Sequence, residues 1–386
     1  MDFDFDTPIN RRGTNSLKWD TSSEGELPMW VADMDFAAAP CIAEAIAKRI
    51  ENGVFGYSMI TDDWYYAYMS WWRKRHGFEM RKDRLAFCSG VVPAISSAVR
   101  AFTVPAENVL VLTPVYNIFF NSIANNGRNV LECPLERIWG EYRINFSDLE
   151  KKLADPQTTM MIMCNPQNPS GKVWDMDTLE KIGSLCHKYG VVVVSDEIHC
   201  DLTNPGISYI PFASVSSVCR DISVTCLSPT KAFNIAGIQT AAVYAENEKL
   251  FNRINRALNT DEVAEPNCFA IDAAIAAFTQ SGAEWLDALR NYIYGNKTEV
   301  ASFIGRNFPS LSVAVNDATY LMWIDVGRFG MRSDVFADSI REKSGLYLSS
   351  GVQYRGDGQD FVRMNVACPR SVVKDGLERL LKAIDN

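Results

Sequence analysis

The chain has 386 residues, of which 47% are hydrophobic and 22% charged, and its formal net charge is −9. This composition excludes a disordered chain and leaves apolar mass for two or three domains of ordinary size. The acidic balance argues against nucleic acid or an anionic membrane as partner, because both require a basic face.

Ten cysteines are scattered without a C-x-x-C pair, and there are only three histidines. A structural zinc site is therefore not expected, and no metal is assigned. Cysteines inside apolar runs, such as Met161-Ile-Met-Cys164, read as small core residues. The N-terminal stretch is acidic, unlike a secretion signal, and no apolar run approaches the roughly 18 residues of a membrane span. The expectation is a reduced, soluble, cytoplasmic protein with no membrane partner.

Residues 1 to about 35 have no period and read as an irregular arm, in which Trp30-Val-Ala-Asp33-Met-Asp35-Phe36 mixes large aromatics with acids. Such a segment suits docking on another surface. Pro40 opens a helical pattern to Ile50, and Gly53 and Gly56 bracket a loop carrying Phe55 and Tyr57. Residues 62–76 predict an aromatic-rich helix, buried or facing a second subunit rather than stacking on a ligand.

From about residue 85 short apolar strands alternate with helices. Strands are predicted at 85–88, 109–112, 160–164, 191–194, 224–227 and 240–244, with helices to about 103 and over 177–189. Continuous apolar strands in this alternation indicate an α/β fold: a mostly parallel central sheet sandwiched by helices. From about 285 the pattern becomes α+β. A helical run to about 307 precedes strands at 311–315 and 320–325, a helix at 332–343, a short extended stretch at 346–349, a strand at 361–365 and a last helix at 370–384. The expected division is an arm over 1–45, a large domain over 46–284, and a smaller C-terminal domain over 285–386 that packs with the arm.

Ligands of such sheets bind beyond the carboxyl ends of the strands, where several polar groups of this chain fall. Ser89-Gly90-Val91 before a helix suits a phosphate, or is simply a glycine before a helix. Tyr116 after a strand is either an aromatic lid or packing. Asn165-Pro-Gln-Asn168-Pro-Ser-Gly171 is more specific, because its turns carry polar side chains that cannot be buried without partners. Asp196 ends a run of four valines and a serine; so placed, a carboxylate needs a cation, such as a pyridinium N–H, or a buried salt bridge. Lys231 follows the apolar run 224–227 in Ser228-Pro-Thr-Lys231, with Gly237 six residues on. Burial and nearby cations would make it a nucleophile or a proton shuttle; a lone Ser-x-x-Lys is more often a loop lysine.

Order and spacing tie these pieces together, with 28 residues from Asn168 to Asp196 and 35 from Asp196 to Lys231. The series N-P-x-N-P-x-G, D-E-x-x and S-x-x-K-x-F-x-x-x-G resembles the fold-type-I pyridoxal phosphate enzymes of the class I/II aminotransferase family, over nearly the whole chain. More narrowly, the segment Trp30–Phe36, the stretch Arg12–Trp19, Ser195-Asp-Glu-Ile-His199 and Asn365-Val-Ala-Cys-Pro-Arg370 resemble the MalY/PatB branch of cystathionine β-lyases and C–S lyases.

The resemblance implies the PLP-transferase fold of type I, pyridoxal 5′-phosphate as cofactor and an amino acid as substrate. It implies that Lys231 holds the cofactor covalently and moves the Cα proton, Asp196 pairs with the ring nitrogen, Asn168 binds the ring hydroxyl and Tyr116 stacks on the ring. Gly90, Val91 and Ser228 hold the phosphate, with Tyr57 reaching in from the second subunit of a homodimer. Arg363 forks onto the substrate carboxylate beside Ala32 and Asn168. Two positions depart from the wider family: His199 replaces a tyrosine and either contacts the ring hydroxyl or packs beside it, and Gln239 replaces a phosphate-binding arginine. The implied activity is β-elimination from cystathionine or a related cysteine S-conjugate. An aminotransferase using the same residues, and a regulatory protein using the scaffold to hold a partner, remain alternatives.

Overall fold

A computed structural model describes residues 3–308 and 311–385. Eight strands form the large sheet, in the order Leu85–Cys88, Ala241–Tyr244, Ser223–Leu227, Val192–Asp196, Thr158–Cys164, Asn108–Thr113, Asn129–Ile138 and Glu141–Ile144. The four central pairings are parallel and the three outer ones antiparallel. Apolar side chains leave both faces. Val109, Val111, Ile162, Val194 and Val224 pack with the helices Val91–Phe102 and Glu248–Thr260. Leu110, Leu112, Met161, Met163 and Val193 pack with the helices Phe146–Leu153 and Met176–Lys188. Burial on both faces is why these strands read as unbroken apolar runs.

A second, antiparallel sheet runs in the order Ser312–Val313, Leu321–Asp325, Phe361–Asn365, Ser349–Ser350. The strand expected at 311–315 is thus only two residues long, and the helical run expected from about 285 begins at Gln280. The arm is less irregular than its sequence implies. It carries a turn of helix at Leu17–Asp20, and Leu27–Pro28 pairs in parallel with Leu346–Tyr347. The hairpin joining Asn129–Ile138 to Glu141–Ile144 was not expected. Its two-residue turn places Trp139 at φ 54° and Gly140 at φ 82°, the left-handed pair that matches strand twist.

No helix among the described residues is long and apolar enough to cross a membrane. The aromatic helix Asp62–His76 is a core element: Trp64, Tyr68, Trp71 and Trp72 are buried, and Trp72 stacks on Tyr68 at 5.6 Å and meets Phe278 edge-on at 5.5 Å. Trp72→Ala should cost about 3–5 kcal/mol in a urea unfolding experiment, the usual range for a fully buried aromatic.

Candidate active site

Beyond the carboxyl ends of the central strands lies a cavity of about 280 Å3 lined by Ala32, Gly90, Val91, Tyr116, Asn168, Asp196, His199, Lys231 and Gln239, among others. Asp196 arrives from a strand end, Gly90 and Val91 from a helix start, and the other residues just named from loops and turns between elements. Asp196 is the last residue of Val192–Asp196, and Cys164 and Cys226 on the neighbouring strands stand in register with it. Gly90 caps the helix Val91–Phe102 with no side-chain cap of its own. A Cβ on it would come within 3.2 Å of Pro93 Cδ, so the close turn favours glycine. The first amides of that helix, Val91 and Val92, border the cavity.

The turn after Thr158–Cys164 bonds its polar side chains both within itself and to distant segments, while Asn165 Oδ1 is buried with no partner among the described residues. Asn165 Nδ2 donates to Ile210 O at 2.9 Å, and Gln167 Oε1 accepts from Ser170 N and Oγ. Gly171, at φ +73°, sits against Asn316 and leaves no room for a side chain. Asn168 is buried, and its Oδ1 accepts from Arg363 Nη1 at 3.2 Å. Arg363 Nη2 donates to Trp30 O at 3.0 Å, and its guanidinium lies 4.9 Å from the centre of the Tyr354 ring. Its Nε is buried with no partner among the described residues.

Desolvation sets the protonation states. Burial raises the Asp196 carboxyl to about 7, opposed by the Ile198 N–H at 3.1 Å and by the charge of Lys231. Burial lowers Lys231 to about 8 from the ordinary 10.5; Arg363 lowers it further, while Asp33 and Asp196 pull the other way. His199 falls to about 3 through burial and the Lys231 and Arg363 cations, so its imidazole is neutral, and Nδ1 lacks a partner among the described residues. Tyr116 is pushed up to about 12 by burial. Behind Asp196, Glu197 is held by Ser195 Oγ, the Phe212 N–H and the Tyr209 hydroxyl.

Three residues assigned to this site are not among those lining the cavity: Ser228, Tyr57, and Arg363, which meets it through its bond to Asn168. Ser228 is buried beside the cavity, with its hydroxyl donating to Thr240 O at 2.7 Å and bonded to Thr230. Tyr57 is fully exposed. Sequence reasoning missed Tyr320, whose hydroxyl donates to Ala32 O at 2.9 Å beside the Lys231 Nζ bond to the same oxygen at 2.6 Å. It singled out Asn365 only as part of a motif and missed its bonds, in which it donates to Val31 O and Asp33 O. No spacing rule in the sequence links these residues to the arm. A larger cavity of about 420 Å3, bordered by Arg75, His76, Asp201, Asp287 and Arg290, has its charges paired with one another.

A sequence model of the class I and II aminotransferases matches residues 28–380. The chain belongs to the class I and II aminotransferase family. Within that family it is 40% identical over 385 residues to cystathionine beta-lyase PatB of Bacillus subtilis, covering 98% of this chain and 99% of the relative. It is 35% identical to protein MalY of Escherichia coli, covering 99% of both. Among solved structures, cystalysin from Treponema denticola, which contains pyridoxal 5′-phosphate, superposes with a TM-score of 0.96 at 33% identity, covering 100% of this chain and 99% of that one. The C–S lyase from Staphylococcus hominis, also bound to that cofactor, gives 0.93 at 31%, covering 99% of each. The fold is therefore that of the type I pyridoxal phosphate enzymes.

In this aminotransferase-family chain Lys231 should behave as an unusually acidic lysine. Its acetylation rate, followed by peptide mass spectrometry on cofactor-free protein, should reach half its limit near pH 8. Only the free amine reacts, so the rate rises with pH through that value; a midpoint near 10.5 would contradict the dry setting described here.

Proposed function

We propose that this chain is a pyridoxal-phosphate-dependent carbon–sulfur β-lyase, cleaving L-cystathionine or a related cysteine S-conjugate to a thiol, pyruvate and ammonia. One observation carries the cofactor reading: the dry Asp196 carboxylate, with a single backbone N–H on it among the described residues, shares a 280 Å3 cavity with the Lys231 amine. Such a carboxylate calls for a cation or N–H donor, which a protonated pyridine ring provides. The choice of β-elimination rests on full-length likeness to PatB and to the C–S lyases.

The residues fit that group. The Val91 and Val92 amides and the dipole of a 12-residue helix seat its phosphate. Ser228, buried beside the cavity with its hydroxyl bonded to Thr240 O and Thr230, joins this seat by turning that hydroxyl to the phosphate. Asp196 takes the ring N–H, Tyr116 the ring face, and Asn168 with His199 the side of the ring hydroxyl. When bound, pyridoxal phosphate supplies an electron-accepting ring that acidifies the Cα–H of an attached amino acid. Arg363 binds the substrate carboxylate through N–H groups not given to Asn168 and Trp30, with Ala32 alongside. Lys231, a base near neutral pH, removes the Cα proton. The Cβ–S bond then breaks, and protonated Lys231 or the Tyr116 hydroxyl gives its proton to the departing thiolate. With Tyr116 at about 12, its hydroxyl stays protonated throughout the working range. Water completes the release of pyruvate and ammonia.

We infer a homodimer, in which Tyr57 of each copy completes the other's phosphate seat. The support is exposure: Val54, Phe55, Tyr57 and Met59 all stand out on one short segment. Ten free cysteines favour a reducing, cytoplasmic setting.

Incubated with L-cystathionine and no 2-oxo acid, the enzyme should release pyruvate and thiol continuously in equal amounts. Lys231→Ala should lower that rate by at least about a thousandfold. Turnover that stops after one equivalent and resumes on adding a 2-oxo acid would make it an aminotransferase instead. Sedimentation should show a dimer, and an active monomer would sink the role given to Tyr57.

A further inference from the structure

The Ala32 carbonyl is an acceptor shared by two donors that the reaction treats differently. Lys231 Nζ reaches it at 2.6 Å and the Tyr320 hydroxyl at 2.9 Å, which fills both lone pairs. Lys231 has to surrender this bond whenever its amine works on cofactor or substrate. Tyr320 has no such duty. Its side chain is fully buried, its ring meets His199 edge-on at 6.4 Å, and its own carbonyl is held by the Val366 N–H at 2.9 Å. A phenol so enclosed has no second place to go.

We propose that Tyr320 is a positioning residue for this site: its hydroxyl keeps the Ala32 carbonyl, and with it the segment bordering the substrate, in place each time Lys231 lets go. The proposal rests on Lys231 being the reacting amine of the function proposed above. Without the Tyr320 hydroxyl, a departing Lys231 would leave the half-buried Ala32 carbonyl with neither of its donors, so departure becomes harder. While Lys231 stays on Ala32 O, the loss of the hydroxyl is felt little. The effect of Tyr320 is therefore conditional on the lysine's state, which separates it from ordinary packing.

The test is Tyr320→Phe, which keeps the ring and removes one oxygen. In the full chain freed of cofactor, acetylation of Lys231 at fixed pH should slow by about threefold to tenfold relative to the native chain, with the exposed Lys374 as internal reference. A purely structural role predicts the opposite, since a loosened site exposes the lysine; an equal or faster rate overturns the proposal. In parallel, Tyr320→Phe should lower the thermal midpoint of the pyridoxal-phosphate-loaded protein more than that of the cofactor-free one, and equal drops in both would also overturn it. Neither readout uses turnover. Slowed acetylation in a protein that fails to release pyruvate from L-cystathionine would uphold this role and reject the lyase reading.

Discussion

The Asp196 carboxylate sits at the dry carboxyl edge of the large sheet, flanked in register by the thiols of Cys164 and Cys226. Burial of a charge at that place is costly unless a partner answers it. Among the described residues only one backbone N–H and the charge of Lys231 do so, which is why the carboxyl is driven up to about 7. The same dryness, with Arg363 nearby, drives Lys231 down and leaves His199 neutral. The three shifts have a common origin: low solvation around a cavity built for something charged that the chain does not itself supply.

What keeps that cavity in shape is a segment with little regular secondary structure. Residues 30–36 cross between the two sheets, and side chains claim their backbone oxygens one after another. Trp30 O is taken by Ser349 and Arg363, Val31 O and Asp33 O by Asn365, Ala32 O by Lys231 and Tyr320, and Met34 O and Phe36 O by Asn234. The arm closes the arrangement from outside. Arg11 bonds Asp33 and Asp35, and buried Lys18 bonds Asp35 at 2.7 Å. Backbone groups without a ladder need such partners, and here the partners come from the small sheet, from the loop after Ser223–Leu227 and from the N-terminus. The acids and aromatics of 30–36 thus make an inner seam rather than a surface patch.

The sequence discloses what is local. Apolar runs bounded by polar residues marked the central strands to within a residue or two, and Asn168, Asp196 and Lys231 were recognisable because each punctuates such a run. The structure brings those three together around one cavity. The hairpin at 129–144 was not legible, because its left-handed turn uses Trp139 ahead of Gly140, where asparagine or aspartate would have signalled it. The contacts of Tyr320 and Asn365 with the arm were not legible for another reason. Their partners lie far off in sequence, 288 residues for Tyr320 and Ala32, and 334 for Asn365 and Val31, and no periodicity links such positions.

The two departures from the wider family pattern, His199 and Gln239, have a shared electrostatic meaning. Both border the cavity with Lys231. An arginine at 239 would add a second guanidinium to a space where Arg363 already depresses the lysine. Glutamine adds none, so Lys231 remains basic enough to accept a proton near neutral pH. The proposed phosphate then relies on amides and a helix dipole in place of a side-chain charge, a weaker hold that covalent attachment to Lys231 offsets. His199 acts in the same direction. Being uncharged, it does not repel Lys231, and its Nδ1 is buried with no partner among the described residues. Cation density around the lysine, more than the identity of either side chain, is the quantity these two positions hold low.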